Sequence, residues 1–154
     1  MLKVKQLSKS YRSGGREYPV LKKVSLEVEK GEFVAVMGPS GSGKTTLLNC
    51  ISRFIPHEEG EILLAGKDLS HLEGKELAKT RNRRMGFVFQ DFMLLDGLTI
   101  RENILIPRII QGEVKPDGEE LADKLTDLFG IGHILNKYPA EISGGEKQRA
   151  AVAR

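Results

Sequence analysis

Cysteine is almost absent from this 154-residue chain, where Cys50 stands alone. That excludes an intramolecular disulfide and most zinc sites. Cys50 lies in an apolar run and reads as a small core residue. No apolar stretch approaches the roughly 18 residues that would cross a bilayer. The N-terminus, Met1-Leu2-Lys3-Val4-Lys5, alternates apolar and basic residues like a strand and lacks the apolar core of a signal peptide. These absences point to the cytoplasm. Internal repeats, low-complexity linkers, cysteine pairs and heptad runs are missing as well. His57, His71 and His133 are isolated near loops, which suits surface positions better than metal ligation. What is present is ordinary for one globular domain: 40% hydrophobic and 29% charged residues, with enough length to bury a core.

The net charge of +3 is modest but unevenly spread. Residues 1–30 hold eight Lys/Arg against three Glu, and Lys79-Thr80-Arg81-Asn82-Arg83-Arg84 forms a short basic cluster. Nucleic acid or anionic lipid is one reading of such a cluster, and a solvated face is the other. The cluster lacks interleaved aromatics and sits in a segment, Glu73 to Arg84, that reads as an exposed polar helix. The solvated face is therefore the better reading, and no nucleic-acid partner is expected.

Strand patterns fall at Leu2 to Leu7, Val24 to Val28, Phe33 to Met37, Glu61 to Leu64 and Met85 to Phe89. Glycine turns at Ser13-Gly14-Gly15, Lys30-Gly31, Glu59-Gly60 and Ala65-Gly66 punctuate them. A small antiparallel sheet leading into an α/β core is expected, and after Gln90 the pattern turns helical. Thr99-x-x-Glu102 forms a capping box, and Pro107 should kink or end the helix it opens. Leu121, Leu125, Leu128 and Phe129 recur on one helical face, which Gly130 should stop. Glu113 to Gly118 reads as an exposed loop.

The sharpest motif is Gly38-Pro39-Ser40-Gly41-Ser42-Gly43-Lys44-Thr45, a complete G-x-x-x-x-G-K-[ST] phosphate-binding loop. The apolar run Phe33 to Met37 precedes it, and Thr46-Leu47-Leu48-Asn49-Cys50-Ile51 follows with helical spacing. A triphosphate needs converging N–H dipoles without steric obstruction. Gly38, Gly41 and Gly43 permit that approach, and the helix N-terminus adds its positive end. Lys44 should reach the β- and γ-phosphates, and Thr45 should offer its hydroxyl to Mg²⁺. An ordinary Gly/Ser-rich turn is the bland alternative, and the complete motif argues against it.

A second helix start stands at Ser143-Gly144-Gly145-Glu146. Ser143-x-x-Glu146 fits a capping box, so a well-capped structural helix is one reading. Glycine costs roughly 1 kcal/mol of helix propensity per residue. Two of them make more sense where an anion must approach the backbone.

At these residues the chain resembles the ATP-binding-cassette (ABC) ATPases. Ser143-Gly144-Gly145 with Lys147-Gln148-Arg149 and Ala-Val-Ala-Arg is similar to that family's signature motif. The resemblance implies an α/β P-loop NTPase fold with an N-terminal antiparallel β-subdomain, a partial RecA-like core and a helical subdomain. Its divisions would be 1–30, 31–90, 91–141 and, for the signature helix, 142–154. It further implies that Tyr11 stacks on adenine and that Gln90 contacts Mg²⁺ and the attacking water. ATP would be held by Gly38 through Thr45 with Thr46. Ser143, Gly144 and Gly145 of a second, head-to-tail copy would cover the γ-phosphate. A transmembrane permease would be the other partner, placing the protein at the cytoplasmic face of the membrane. Gly86-Phe87-Val88-Phe89-Gln90-Asp91 and Glu102-Asn103-Ile104 look like the macrolide-exporter and lipoprotein-release group. Leu94-Leu95-Asp96 and Lys137-Tyr138-Pro139 resemble its bacitracin-type peptide-resistance branch.

Two departures stand out. Ile142 and Glu146 replace the usual Leu and Gln, and a capping box would turn the Glu146 carboxylate away from phosphate. The family's Mg²⁺-holding Asp, catalytic Glu and switch His do not occur among these residues, nor do several core strands. Weak ATP binding at best, without turnover, is thus expected of residues 1–154 alone. Besides a transport ATPase, the sequence leaves two readings open: a cassette acting in DNA repair or on the ribosome, and an inactive fragment.

Overall fold

The computed structural model describes residues 1–112 and 116–154. Two compact units result, Met1–Arg81 and Asn82–Arg154. In the first, four antiparallel strands run in the order β2-β1-β3-β4. They are β1 (Leu2–Ser13), β2 (Arg16–Val28), β3 (Glu59–Leu64) and β4 (Lys67–Asp68). Helix α1 (Lys44–Ile51) lies between β2 and β3 in sequence, and α2 (Gly74–Arg84) follows β4.

Gly14 and Gly15, with φ of 56° and 74°, form the two-residue turn joining Ser13 to Arg16. Positive φ at both positions gives a twist that matches the flanking strands. The hairpin is longer than the sequence pattern implies, because its distal end is exposed and polar on both faces and so carries no alternation. Alternation returns where a face is buried. Val4, Leu7, Leu21, Ile62 and Leu69 are at most 5% exposed, joined by Leu47 and Cys50 of α1. Each large apolar side chain so buried contributes about 1.5–3 kcal/mol. The register of β1 shifts between Val4 and Leu7, where Gln6 has φ 49°. Gly60 of β3 meets that bulge. A Cβ there would sit 2.5 Å from the Lys5 carbonyl oxygen and 2.7 Å from the Leu7 Cα, so only glycine fits.

Two expected strands are not strands. Phe33–Met37 finds no ladder partner among the described residues, and Phe33 and Met37 are 93% and 88% exposed. Met85–Phe89, in the second unit, likewise joins no ladder among the described residues, and Phe87 and Phe89 stack with centroids 6.1 Å apart. Apolar character does not make a strand when the backbone groups have no neighbouring strand to bond.

The second unit packs α3 (Ile100–Gln111), α4 (Pro116–Leu128) and α5 (Gly144–Ala153) around Ile100, Ile104, Ala122, Ile131, Ile134, Ile142, Ala150 and Ala153. The Thr99–Glu102 capping box is formed as expected. Pro107 does not end α3, which continues to the left-handed Gly112. Helix α4 starts at Pro116, inside the stretch expected to be a loop, since proline suits a first helical position. The rest of that stretch, residues 113–115, lies outside the described residues. Gly130 closes α4, as expected. Its core face is Ala122, Leu125 and Phe129, while Leu128 is 76% exposed and faces away from the core. Buried Asn103 binds the loop before α3: its side-chain amide donates to the carbonyls of Leu95, Leu98 and Thr99, and its oxygen accepts from the Leu95 N–H at 2.7 Å. A buried amide with all these bonds made holds a single loop conformation.

Candidate functional site

Three of the loop's glycines are in conformations that other residues avoid, with Gly41 at φ 79° and Gly43 at φ 90° the turning points. A Cβ on Gly43 would lie 3.0 Å from the Val20 Cγ1, so strand β2 approaches the loop closely there. Gly43 is also the N-cap of α1. It supplies no side-chain cap, and no acidic residue stands in the first turn. The helix therefore begins with unoccupied N–H groups and no competing carboxylate, which is the electrostatic condition for an anion. Burial of Leu47 and Cys50 anchors the far side of α1. The Lys44 ammonium folds over the loop and donates to the carbonyl oxygens of Gly38 (2.8 Å) and Pro39 (2.7 Å), with Ser42 Oγ at 3.3 Å. A cavity of about 280 Å³ opens here, lined by Val20, Ser40, Gly41, Gly43, Lys44, Thr45 and Thr46. One positive charge, a helix N-terminus and two threonines thus line one concavity.

Tyr11 lies on β1 opposite Tyr18, 43% exposed. It lines a different cavity, of about 450 Å³, with Lys9, Ser10, Arg12, Glu17 and Glu58. Lys9 Nζ stands 5.5 Å from its ring centroid, within cation–π range. The Glu58 carboxylate accepts from Lys9 Nζ at 2.6 Å and from the Ser10 N–H at 2.7 Å. Sequence reasoning missed Val20 and Glu58. Val20 reaches the loop through a shift in the β1–β2 register, and Glu58 reads locally as part of a polar turn. Neither carries a local signal. His57 also departs from expectation: it is half-buried, with Nε2 3.3 Å from the Gly60 carbonyl and Nδ1 3.5 Å from Arg53. Burial, then Arg53, pushes its pKa down. His71 and His133 are exposed as expected.

In the second unit Gln90 is exposed at the turn after Phe89. Phe92 and Met93, just beyond Asp91, have φ of 61° and 49°, and the Arg154 guanidinium donates to both their carbonyls. Ser143 caps α5. Its hydroxyl and N–H donate to Glu146 Oε2 at 2.7 Å and 2.8 Å, and His133 Nε2 stands 3.1 Å from Glu146 Oε1. The Ser143 hydroxyl bond, then its backbone N–H, then His133 hold the Glu146 carboxyl down to about 2. The carboxylate is turned back onto its own helix, as its sequence position suggested. Gly144 and Gly145 are exposed; a Cβ on Gly144 would meet nothing within 4 Å, and one on Gly145 only the Arg149 guanidinium at 3.7 Å.

A glycine loop leading into an uncapped helix, a small antiparallel sheet and a separate helical unit are the parts of an ABC ATPase cassette, present here in part. The family profile described as "ABC transporter" matches residues 21–154. The chain belongs to the ABC transporter family. It is 49% identical over its full length to the ABC transporter ATP-binding protein YxdL of Bacillus subtilis. The bacitracin export ATP-binding protein BceA of Halalkalibacterium halodurans is 45% identical over the same 154 residues. The chain spans 60% and 61% of the lengths of these two relatives. Among solved structures, the dimeric bacterial ABC transporter cassette MJ0796 superposes with a TM-score of 0.89 at 36% identity, over 99% of this chain and 68% of that one. The resemblance to bacitracin-type ATPases thus holds against a relative of that name.

Proposed function

We propose that the protein carrying this chain is the ATP-binding subunit of a bacterial ABC transporter. It couples ATP binding and hydrolysis to export or removal of a substrate, an antimicrobial peptide, lipoprotein or drug, through a membrane permease. The observation that carries this reading is the loop at α1, where the Lys44 ammonium is folded onto the Gly38 and Pro39 carbonyls beside a helix N-terminus with no acid in its first turn. Near 50% identity to an ATP-binding protein of transport supports it. No helix among the described residues is long and apolar enough to cross a membrane, which fits a peripheral subunit at the cytoplasmic face working with a separate permease.

In this reading Gly38, Pro39, Ser40, Gly41, Ser42, Gly43, Lys44, Thr45 and Thr46 hold the phosphates, and Lys44 stabilises the charge on the transferring group. Tyr11 stacks on the base. Mg²⁺ fits the donor set: Thr45 offers a neutral oxygen in the cavity, and no cluster of three acidic, His or Cys side chains among the described residues would draw the ion elsewhere. A cation that keeps several waters and phosphate oxygens needs few protein ligands. Bound there with Thr45 and Gln90, it would neutralise phosphate charge. Gln90 would orient the attacking water. Ser143, Gly144 and Gly145 of a second copy in a head-to-tail homodimer would close over the γ-phosphate. The divisions 1–30, 31–90, 91–141 and 142–154 are the corresponding β-subdomain, loop core, helical subdomain and signature helix. In the full-length protein, Lys44→Ala should lower ATP hydrolysis at least about 100-fold, the scale of losing one charge-stabilising group. Undiminished turnover would overturn the loop assignment.

A further inference from the structure

We infer that Glu58 is a positioning residue for the nucleoside end of the site, acting through Tyr11; this rests on the base-stacking reading of Tyr11. Three bonds tie the residue to the strand just before that ring. Its own N–H donates to the Ser8 carbonyl at 3.0 Å, while its two carboxylate oxygens take Lys9 Nζ at 2.6 Å and the Ser10 N–H at 2.7 Å. Lys9 is only 12% exposed at its side chain, so its ammonium is held by Glu58 and not by solvent. The same ammonium stands 5.5 Å over the Tyr11 ring centroid. The carboxylate therefore controls both the backbone at Ser10 and the cation over Tyr11.

The strand needs this clamp. The β1–β2 register shifts twice here, between Leu7 and Lys9 and again between Lys9 and Ser10, and the β1–β3 pairing ends at Ser8 opposite Glu59. Beyond Ser8, β1 is bonded to β2 alone, and residues 11–19 of this hairpin are exposed. A two-stranded ribbon is marginal in water. The side chain of Glu58 continues, past the end of β3, the bonding that β3 supplies below it. Its removal frees the hairpin end bearing Tyr11, and Glu58 itself lines no part of the cavity at Gly38–Thr45.

The test compares ATP with inorganic tripolyphosphate, which has no base, in equilibrium binding to the full-length protein. Glu58→Ala should weaken ATP about fivefold, a fraction of what a base–aromatic stack contributes, with tripolyphosphate affinity unaltered. Glu58→Gln, which keeps an acceptor for Ser10 but loses the charge on Lys9, should fall between Glu58→Ala and the parent, and it serves should the alanine variant fail to fold. Equal losses for both ligands, or no loss for either, would overturn the assignment. Tyr11→Ala is run in parallel. If it leaves the ratio of the two affinities unchanged, the stacking reading fails, and with it the role of Glu58. If it lowers the ratio while both Glu58 variants do not, only the role of Glu58 fails.

Discussion

Helices α1 and α5 both have glycine at their entrance, Gly43 as the N-cap of α1 and Gly144 as the first residue of α5, and their first turns are electrostatic opposites. At α1 the N-cap is Gly43, with φ 90°, no side-chain cap and no acid, and the charge supplied is the Lys44 ammonium. At α5 the N-cap is Ser143, and Glu146 returns its carboxylate to the helix start. The same local device, a glycine-rich helix entrance, is thus open to an outside anion in one place and largely filled by the chain's own anion in the other. What α5 retains are the amides of Gly144 and Gly145, which have no intrahelical partner. In the proposed reading it completes a phosphate site that another loop has already formed and does not make one alone.

The comparison breaks most sharply if α1 is made to resemble α5. Thr46 stands at the third helical position of α1, where Glu146 stands in α5. Thr46→Glu should weaken ATP binding by about 100-fold or more, since a carboxylate then faces the phosphates in place of a hydroxyl. An equilibrium titration of the full-length protein measures it. Next in size, Gly43→Ala forces a side chain into φ 90° and against Val20, and should lower stability by about 1–2 kcal/mol in denaturant unfolding. Ser143→Ala removes the α5 cap and should cost about 1 kcal/mol by the same measurement.

The smallest effect is on pH. Glu146 has its carboxyl lowered in the folded state to about 2 from an ordinary 4.5, so protons bind the unfolded form first. The cap's contribution is complete above about 4.5 and is lost as pH falls toward about 2. The Glu146 amide resonance, followed over that window, should track the loss.

Local features were the legible ones. The phosphate loop, both capping boxes, the Gly14-Gly15 turn and the polar helix at α2 each depend on residues a few positions apart. What escaped the sequence depends on distant pairing. Phe33–Met37 has the composition of a buried strand, yet a ladder needs partners that composition cannot supply. Leu128 shares the apolar period of α4 but falls off its packed face. Glu58 contacts Lys9 and Ser10 across 49 and 48 positions, and a polar His-Glu-Glu-Gly run gives no sign of that clamp. The site is legible where a motif carries its own geometry, and opaque where strand register sets it.

The most direct test of the account follows backbone amide signals of the full-length protein during an ATP titration, at concentrations where it is monomeric. The amides of Gly41, Gly43, Lys44 and Thr45 should shift along one saturation curve, with those of Gly144, Gly145 and Glu146 unmoved. Shifts at Gly144–Glu146 that come first, or a loop at 38–45 that does not respond, would contradict it.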